Sequence, residues 1–219
     1  MAKQGQNYLK PKRLYRLIKR LCDIILAFIA LVFLALPLII VAIIVKCNSK
    51  GPALFKDKRV GYKGKMVTVY KFRSMYSDAE ANIDKYLTPE QKETWIRERK
   101  LENDPRITKV GRFIRKTSID ELPQFINVLF GTMSLVGPRP ISKREYETHY
   151  TDEEKKLLNL VKPGITGYWQ VYGRNDVEFE TGERQKLELE YVYKRSLWLD
   201  TKIVFLTVPA VLSHKGVKQ

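Results

Sequence analysis

The adjacent carboxylates Asp120 and Glu121 follow closely on Arg112, Arg115 and Lys116. Carboxylates beside arginines able to donate two parallel hydrogen bonds are equipment for holding a phosphate-bearing anion together with Mg²⁺. Ser118 and Glu121 match a capping box, and Leu122, Phe125, Ile126 and Leu129 follow at i, i+3, i+4 and i+7, so an amphipathic helix is expected here. Pro123 lacks a donor, which is harmless only in a first turn, so the cap could instead be Asp120. In either register both acids sit at the positive end of a helix, where an ionised carboxylate and an anionic ligand are favoured. An ionised Asp120 beside a divalent ion can serve as nucleophile or ligand. The plain alternative is that both are ordinary N-terminal helix acids.

Three further segments carry candidate chemistry. In Pro138-Arg139-Pro140 the two prolines restrict the backbone on either side of one arginine. That suits a phosphate clamp, against the alternative of a turn with a solvated arginine. In Met66-Val67-Thr68-Val69-Tyr70-Lys71-Phe72-Arg73-Ser74-Met75 a strand would place Lys71 and Arg73 on one face, either anion-binding or simply charged. The run Gly164 to Asp176 combines glycines, aromatic faces and polar ends, including Gln170 and Arg174, and could take a base or a sugar. It contains neither a P-loop nor G-x-G-x-x-G. Ser74, Ser118, Ser134, His149 and His214 form no G-x-S-x-G elbow, and Cys22 and Cys47 support neither a disulfide framework nor a four-ligand zinc site.

These residues need a scaffold, and the charge distribution shows what kind. Among 219 residues, positions 1–65 hold 14 Lys/Arg and 2 Asp/Glu, a net +12, whereas positions 66–219 carry only +4 of the total +16. The basic excess flanks Ile24 to Val45, 22 residues without a charge, and suits anionic headgroups better than a nucleic-acid groove. As a helix that run would measure roughly 33 Å, nominally enough to span a bilayer. Basic clusters on both sides oppose a single span under the positive-inside bias, and Pro37 makes a bend near Leu34 to Pro37 available. A re-entrant helix-bend-helix and a span with a tolerated proline therefore stand side by side; a cleaved signal is disfavoured by the length of the apolar core.

Beyond it, Ala53 to Val60 and Lys65 to Met75 read as strands around Gly61-Tyr62-Lys63-Gly64. Ser77 and Glu80 suggest a cap for a helix over Ala79 to Leu87, and Thr88-Pro89 with Gln91 starts another through about Leu101, anchored by Trp95 and Ile96. Thr151 to Glu154 opens a third helix. Glu183 to Leu212 is helical in pattern, either interfacial or buried, with its tyrosines and tryptophans favouring the interface. The expected architecture is a helix-rich compact α/β catalytic domain over 46–219. It follows a basic amphipathic segment over 1–23 and a membrane helix over 24–45, and ends in interfacial amphipathic helices.

The runs SKGPALFKDKRVG, YKFRSM, DPRITKVGRFIRKTSIDELPQFINVLFGTMSLVGPRP, KPGITGYWQVYGRND and YVYKRSLWLDTKI resemble the bacterial sugar transferase family of small monotopic polyprenyl-phosphate phosphoglycosyl transferases. The resemblance implies transfer of a sugar 1-phosphate from a UDP-sugar to polyprenyl phosphate, usually undecaprenyl phosphate, with release of UMP. It implies Asp120 as nucleophile and Mg²⁺ contact (Mn²⁺ as a substitute), Glu121 as its catalytic neighbour, and Pro138-Arg139-Pro140, Arg115 and Lys71 as site residues. It also implies a re-entrant membrane helix broken at a proline, here Pro37, and a catalytic domain on the cytoplasmic face of the bacterial inner membrane. Expected partners are the UDP-sugar, polyprenyl phosphate and anionic lipids, with no nucleic acid and with a homodimer left open. Arg73, Arg112, Gln170 and Arg174 complete the expected phosphate- and substrate-binding set. Thr132 and Asp57 depart from the family's common residues, acidic and glutamine respectively, and without the large N-terminal region of bigger members the sequence resembles either the minimal catalytic unit or a piece of a longer protein. The alternatives are a membrane-associated glycosyltransferase that releases UDP and a non-enzymatic anchor or scaffold.

Overall fold

A computed structural model describes residues 13–98, 101–173 and 182–212. Arg174 and His214 lie outside the described residues.

The apolar run is the middle of a longer helix, α1 (Arg13–Asn48), which contains Pro37. Without an N–H, Pro37 leaves the Phe33 carbonyl without its usual partner four residues on. Among the described residues α1 is the one helix long and apolar enough to cross a membrane. Its less exposed positions, Asp23, Ala27, Ala30, Leu34, Leu38, Val41 and Val45, recur at helical spacing along one face. Both ends are tied to the rest of the chain. Near the N-terminus Arg20 donates to the carbonyls of Val128 (2.6 Å) and Leu129 (2.9 Å), and Asp23 accepts from Ser134 Oγ (2.8 Å) and Leu135 N (3.1 Å). At the other end, Arg73 donates to the carbonyls of Val45 (2.9 Å), Ser49 (2.6 Å) and Pro52 (2.6 Å).

Next comes a hairpin of β1 (Leu54–Val60) and β2 (Met66–Phe72), antiparallel with Leu54 opposite Phe72 and Val60 opposite Met66. The turn between them contains a short 3₁₀ helix, Tyr62–Gly64. The expected capped helix over 79–87 shrinks to α2 (Ile83–Tyr86). Residues before it form turns because Tyr76 N bonds to Arg106 O (3.0 Å), Ala79 is buried, and Asp78 accepts from Lys85 and Tyr86. In α3 (Pro89–Glu98) the capping box does form, through Thr88 and Gln91. Trp95 packs beneath Arg106, 4.8 Å from ring centroid to guanidinium carbon, but Ile96 is 50% exposed and anchors nothing.

The chain continues through α4 (Lys109–Lys116), a 3₁₀ turn at Ile119–Glu121, α5 (Gln124–Phe130) and β3 (Ser134–Val136). After α6 (Lys143–His149) comes α7 (Asp152–Leu158), with the expected capping box between Thr151 and Glu154. Then β4 (Gly164–Thr166) pairs parallel with β3, and α8 (Tyr168–Tyr172) follows. The C-terminal region expected to be helical forms two helices, α9 (Glu183–Lys194) and α10 (Leu197–Leu212). Arg195 is not helical (φ −48°, ψ 124°), and it donates back to the Val192 carbonyl.

The core is built where these elements meet α1. Ala27 belongs to one cluster with Val69, Val128 and Met133, and Val45 to another with Phe72 and Ile114. A third cluster, Val136, Tyr191 and Ile203, ties the parallel strand pair to the C-terminal helices. The molecule is thus a helix-rich α/β fold in which two small sheets and α5 bring the candidate chemistry together.

Candidate active site

Ser118 adopts a left-handed conformation (φ 57°, ψ 16°), so it makes no side-chain cap, and Ile119–Glu121 turns as 3₁₀ before α5 starts. The expected Ser118–Glu121 capping box is therefore replaced by a sharp reversal with both acids at its tip. Pro123 immediately precedes α5, where its missing N–H costs no helical bond. The α5 scaffold is locked to β2 by Asn127, which accepts from Tyr70 N (2.9 Å) and donates to Thr68 O (2.6 Å) much as a neighbouring strand would. Thr132 Oγ lies 3.1 Å from the Asn127 amide and 3.2 Å from its carbonyl, so that departure from the family pattern supports the same lock.

Three cations from three elements converge on the acids. Lys71 on β2 reaches Glu121 Oε1 at 3.5 Å and Asp57 Oδ2 at 4.0 Å. Arg139, from the loop after β3, reaches the same Glu121 oxygen at 3.6 Å. Arg115 is fixed by a 2.7 Å bond from its Nε to Ser74 Oγ, and its charge acts on Asp120. Helix-end placement predicts an acidic Asp120, yet its pKa is pushed up to about 6. Burial is the main cause and the Glu121 charge the second, with Lys71, Arg115 and Arg139 opposing them. Arg139 is held more firmly protonated by Glu121, while burial lowers the Arg115 pKa.

The Arg139 loop is set by close backbone contacts. Gly164 N donates to Pro138 O (2.8 Å) and Gly137 N to Thr166 O (2.9 Å). A Cβ on Gly164 would lie 2.1 Å from the Gly137 nitrogen, so glycine is required for this approach. Arg139 N donates to Glu188 Oε2 (3.1 Å), and its guanidinium lies 5.9 Å from the Trp169 ring centroid. Arg184 covers that ring at 4.6 Å and pairs with Glu145 at 3.2 Å.

Of the expected residues, the structure gathers Asp120, Glu121, Lys71, Arg115 and Arg139, framed by Pro138 and Pro140. It does not gather Arg73 with them. β2 ends at Phe72, and the Arg73 guanidinium turns to the carbonyls at the end of α1 instead of sharing a face with Lys71. Arg112 is on the exposed side of α4. Gln170 is buried and turned toward Ile165 O at 3.5 Å, and Arg174 is outside the described residues. Sequence reasoning missed Ser74, Asn127, Arg184 and Glu188, while Trp169 falls in the aromatic run singled out for a base or sugar. A polar Asn127 in an apolar helical run, and an acid at 188 between Leu187 and Leu189, were the available signals.

The acid pair suits a divalent cation. Two adjacent carboxylates, one with its ionisation suppressed by burial and then by its neighbour, would be relieved by a shared cation, and Mg²⁺ commonly takes only one or two protein carboxylates plus phosphate oxygens and water. Among the described residues there is no cluster of three or more His, Cys, Asp or Glu able to hold a metal, so substrate oxygens and water would complete its shell.

Residues 14–214 match the family described as Bacterial sugar transferase. The chain belongs to this family. It is 46% identical over 213 residues to undecaprenyl-phosphate galactose phosphotransferase of Salmonella typhimurium, covering 96% of this chain and 44% of that protein. It is 44% identical over 197 residues to UDP-glucose:undecaprenyl-phosphate glucose-1-phosphate transferase of Escherichia coli, covering 88% of this chain and 40% of the relative. With exopolysaccharide production protein ExoY of Rhizobium meliloti the identity is 38% over 200 residues, covering 90% and 87%. The chain thus spans less than half the length of the first two relatives and most of the third. The family match includes every gathered site residue.

Proposed function

We propose that this sugar transferase moves a sugar 1-phosphate from a UDP-sugar to polyprenyl phosphate, with release of UMP, through an aspartyl phosphosugar on Asp120. The observation that carries the reading is one half-buried carboxyl, Asp120, under the charges of Lys71, Arg115 and Arg139. This is an arrangement for a nucleophile that meets an anionic phosphorus centre. The names of the Salmonella and Escherichia relatives agree with the reaction class.

In the first step an Asp120 oxygen forms a bond to the sugar-bearing phosphorus, and the bond from that phosphorus to the UMP oxygen breaks. Lys71 and Arg139 offset charge on the phosphate oxygens, and Arg115, braced by Ser74, helps keep Asp120 ionised. In the second step an oxygen of polyprenyl phosphate attacks the same phosphorus and the Asp120 carboxylate leaves. The sugar's anomeric bond survives both steps. Asp120 and Glu121 would hold Mg²⁺, which when bound supplies charge neutralisation for the diphosphate. Glu121 also spaces Lys71 from Arg139, because both cations address its Oε1.

The acceptor is a lipid, and the exposed apolar residues agree with a membrane seat. Phe113 (61% exposed), Phe130 (77%) and Trp198 (78%) are exposed, as is the outward face of α1. We read α1 as a re-entrant segment on the cytoplasmic face of the inner membrane and α10 as interfacial. Ties from both ends of α1 to one water-facing domain support entry and exit on the same side.

The test is product analysis with intact mass. Incubation with UDP-sugar and undecaprenyl phosphate should yield UMP and a polyprenyl diphosphate sugar, and donor alone should add one phosphosugar to the wild type but none to Asp120→Asn. UDP without UMP would establish transfer at the anomeric carbon instead. Neither nucleotide, from folded membrane-bound protein across a panel of UDP-sugars, would mean a scaffold.

A further inference from the structure

A carboxyl group buried without need is expensive, and Glu188 on α9 is 1% exposed. One of its oxygens, Oε2, accepts the Arg139 N–H at 3.1 Å. The other, Oε1, is buried with no hydrogen-bond partner among the described residues. A leucine would fill the space more cheaply, so the acid is explained by what it holds. Pro138 and Pro140 have no N–H. Arg139 therefore supplies the only backbone donor of this three-residue run, and Glu188 takes it. That single bond fixes the peptide plane before Arg139 and with it the direction in which the side chain leaves the loop toward Glu121.

The groups facing Glu188 fit a brace rather than a second reacting centre. Arg184 on its own helix and Arg139 favour its charge, and Glu145 on α6 opposes it. Tyr150, at the end of α6, feels its charge. Arg139 and Arg184 both lie against the Trp169 ring, so two guanidinium groups share a small space, with Glu145 paired to Arg184 and Glu188 bonded to the Arg139 backbone.

We propose that Glu188 is a positioning residue for sugar-phosphate transfer: its buried carboxyl holds the Arg139 backbone so that the guanidinium meets the donor's phosphates as charge develops on them. The proposal rests on the reaction proposed above and adds a residue that acts only through Arg139. It makes no contact with substrate. Removing the acceptor should slow the chemical step and leave donor binding nearly intact, because the guanidinium remains but is misaimed.

A double-mutant cycle separates this role from a structural one. The readout is phosphosugar adduct formation on the full chain in membranes, followed by rapid quench and intact mass with UDP-sugar alone. At saturating donor, Glu188→Leu should slow adduct formation about 30-fold while the donor concentration at half-maximal rate moves less than about 3-fold. Glu188→Gln, whose amide oxygen can accept the same N–H, should recover to within about 5-fold of wild type. In an Arg139→Ala background, Glu188→Leu should cost less than about 2-fold. An equal factor in both backgrounds, or Glu188→Gln as slow as Glu188→Leu, would overturn the role. If Glu188→Leu does not fold, as judged by its melting transition, Glu188→Asp, whose shorter side chain withdraws the acceptor, takes its place both in the cycle and in the comparison with Glu188→Gln. Absence of adduct in the wild type overturns the aspartyl phosphosugar reading and this role with it, whereas additivity in an active wild type overturns this role alone.

Discussion

Two carboxyl groups, Asp120 and Glu188, sit where burial works against their charge, and what offsets that cost differs. Asp120 has three cations around it and a second acid beside it; Glu188 has an N–H, two guanidinium groups and, among the described residues, no hydrogen-bond partner on its second oxygen. The Glu188 pKa is pushed up to about 7, chiefly by burial, from an ordinary 4.5. The folded protein therefore holds a proton that the unfolded chain has already released between those values. Stability must fall as pH rises through that window, and the loss is complete above the folded pKa. A shift of that size corresponds to an upper bound on the order of 3 kcal/mol. Glu188→Gln cannot ionise, so its melting temperature relative to wild type should climb by several degrees between about pH 5 and pH 8. A difference that stays constant across the range would mean that Glu188 titrates normally.

At the scale of elements, the site depends on how closely α4 can approach the strand end at Ser74. A Cβ at Gly111 would stand 1.8 Å from the Ser74 carbonyl oxygen, a backbone atom that cannot swing aside. That carbonyl also accepts Thr108 N (3.0 Å), and the Ser74 hydroxyl accepts Arg115 Nε. Gly111→Ala should push α4 outward and carry Arg115 and the Ile119–Glu121 turn with it. We expect a loss of about 3 kcal/mol in stability and more than about 10-fold in adduct formation, read by thermal melting and intact mass. Wild-type values for both would show that the contact is slack. The sequence carried no sign of this requirement, because a glycine inside a helical pattern looks the same whether or not something packs on it. Local signals were legible: the hairpin and the Thr88 and Thr151 caps agree with the structure, whereas the grouping of Lys71, Arg115 and Arg139 with Asp120 and Glu121 was implied by the family resemblance. What was not legible depended on distant partners. Arg73 looked like a site residue by strand period, yet β2 ends one residue earlier and the α1 carbonyls claim the guanidinium. Ser118 looked like a cap, yet its left-handed backbone aims the acids into the site. A helical period across Glu183 to Leu212 concealed the break at Arg195, since heptad-like spacing tolerates a short interruption.

At the scale of the whole molecule, the question is how a helix of 36 residues can have both ends bound to one domain and still use its apolar face. Val32, Phe33, Leu36, Ile39 and Ile40 face outward through its middle, while Arg20, Asp23 and the Val45 carbonyl hold its flanks to α5, β3 and Arg73. In a membrane-normal straight helix, Arg20 and Val45 would be separated by 25 residues, roughly 38 Å, and would lie on opposite sides of the hydrocarbon. One domain rich in charge cannot bind both without entering the bilayer itself. The re-entrant arrangement proposed above, with α1 dipping in and returning, would keep both basic clusters on one face while the outward residues of its middle meet lipid. Two native thiols report on it, since Cys22 and Cys47 flank the uncharged run and both are exposed. Cys22→Ser and Cys47→Ser each leave a single reporter. In right-side-out membrane vesicles, an impermeant maleimide applied from outside should label neither variant, and detergent should render both reactive. Labelling of one thiol but not the other before detergent would place the two ends of α1 on opposite sides, and the re-entrant reading would then fail even if the transfer chemistry stood.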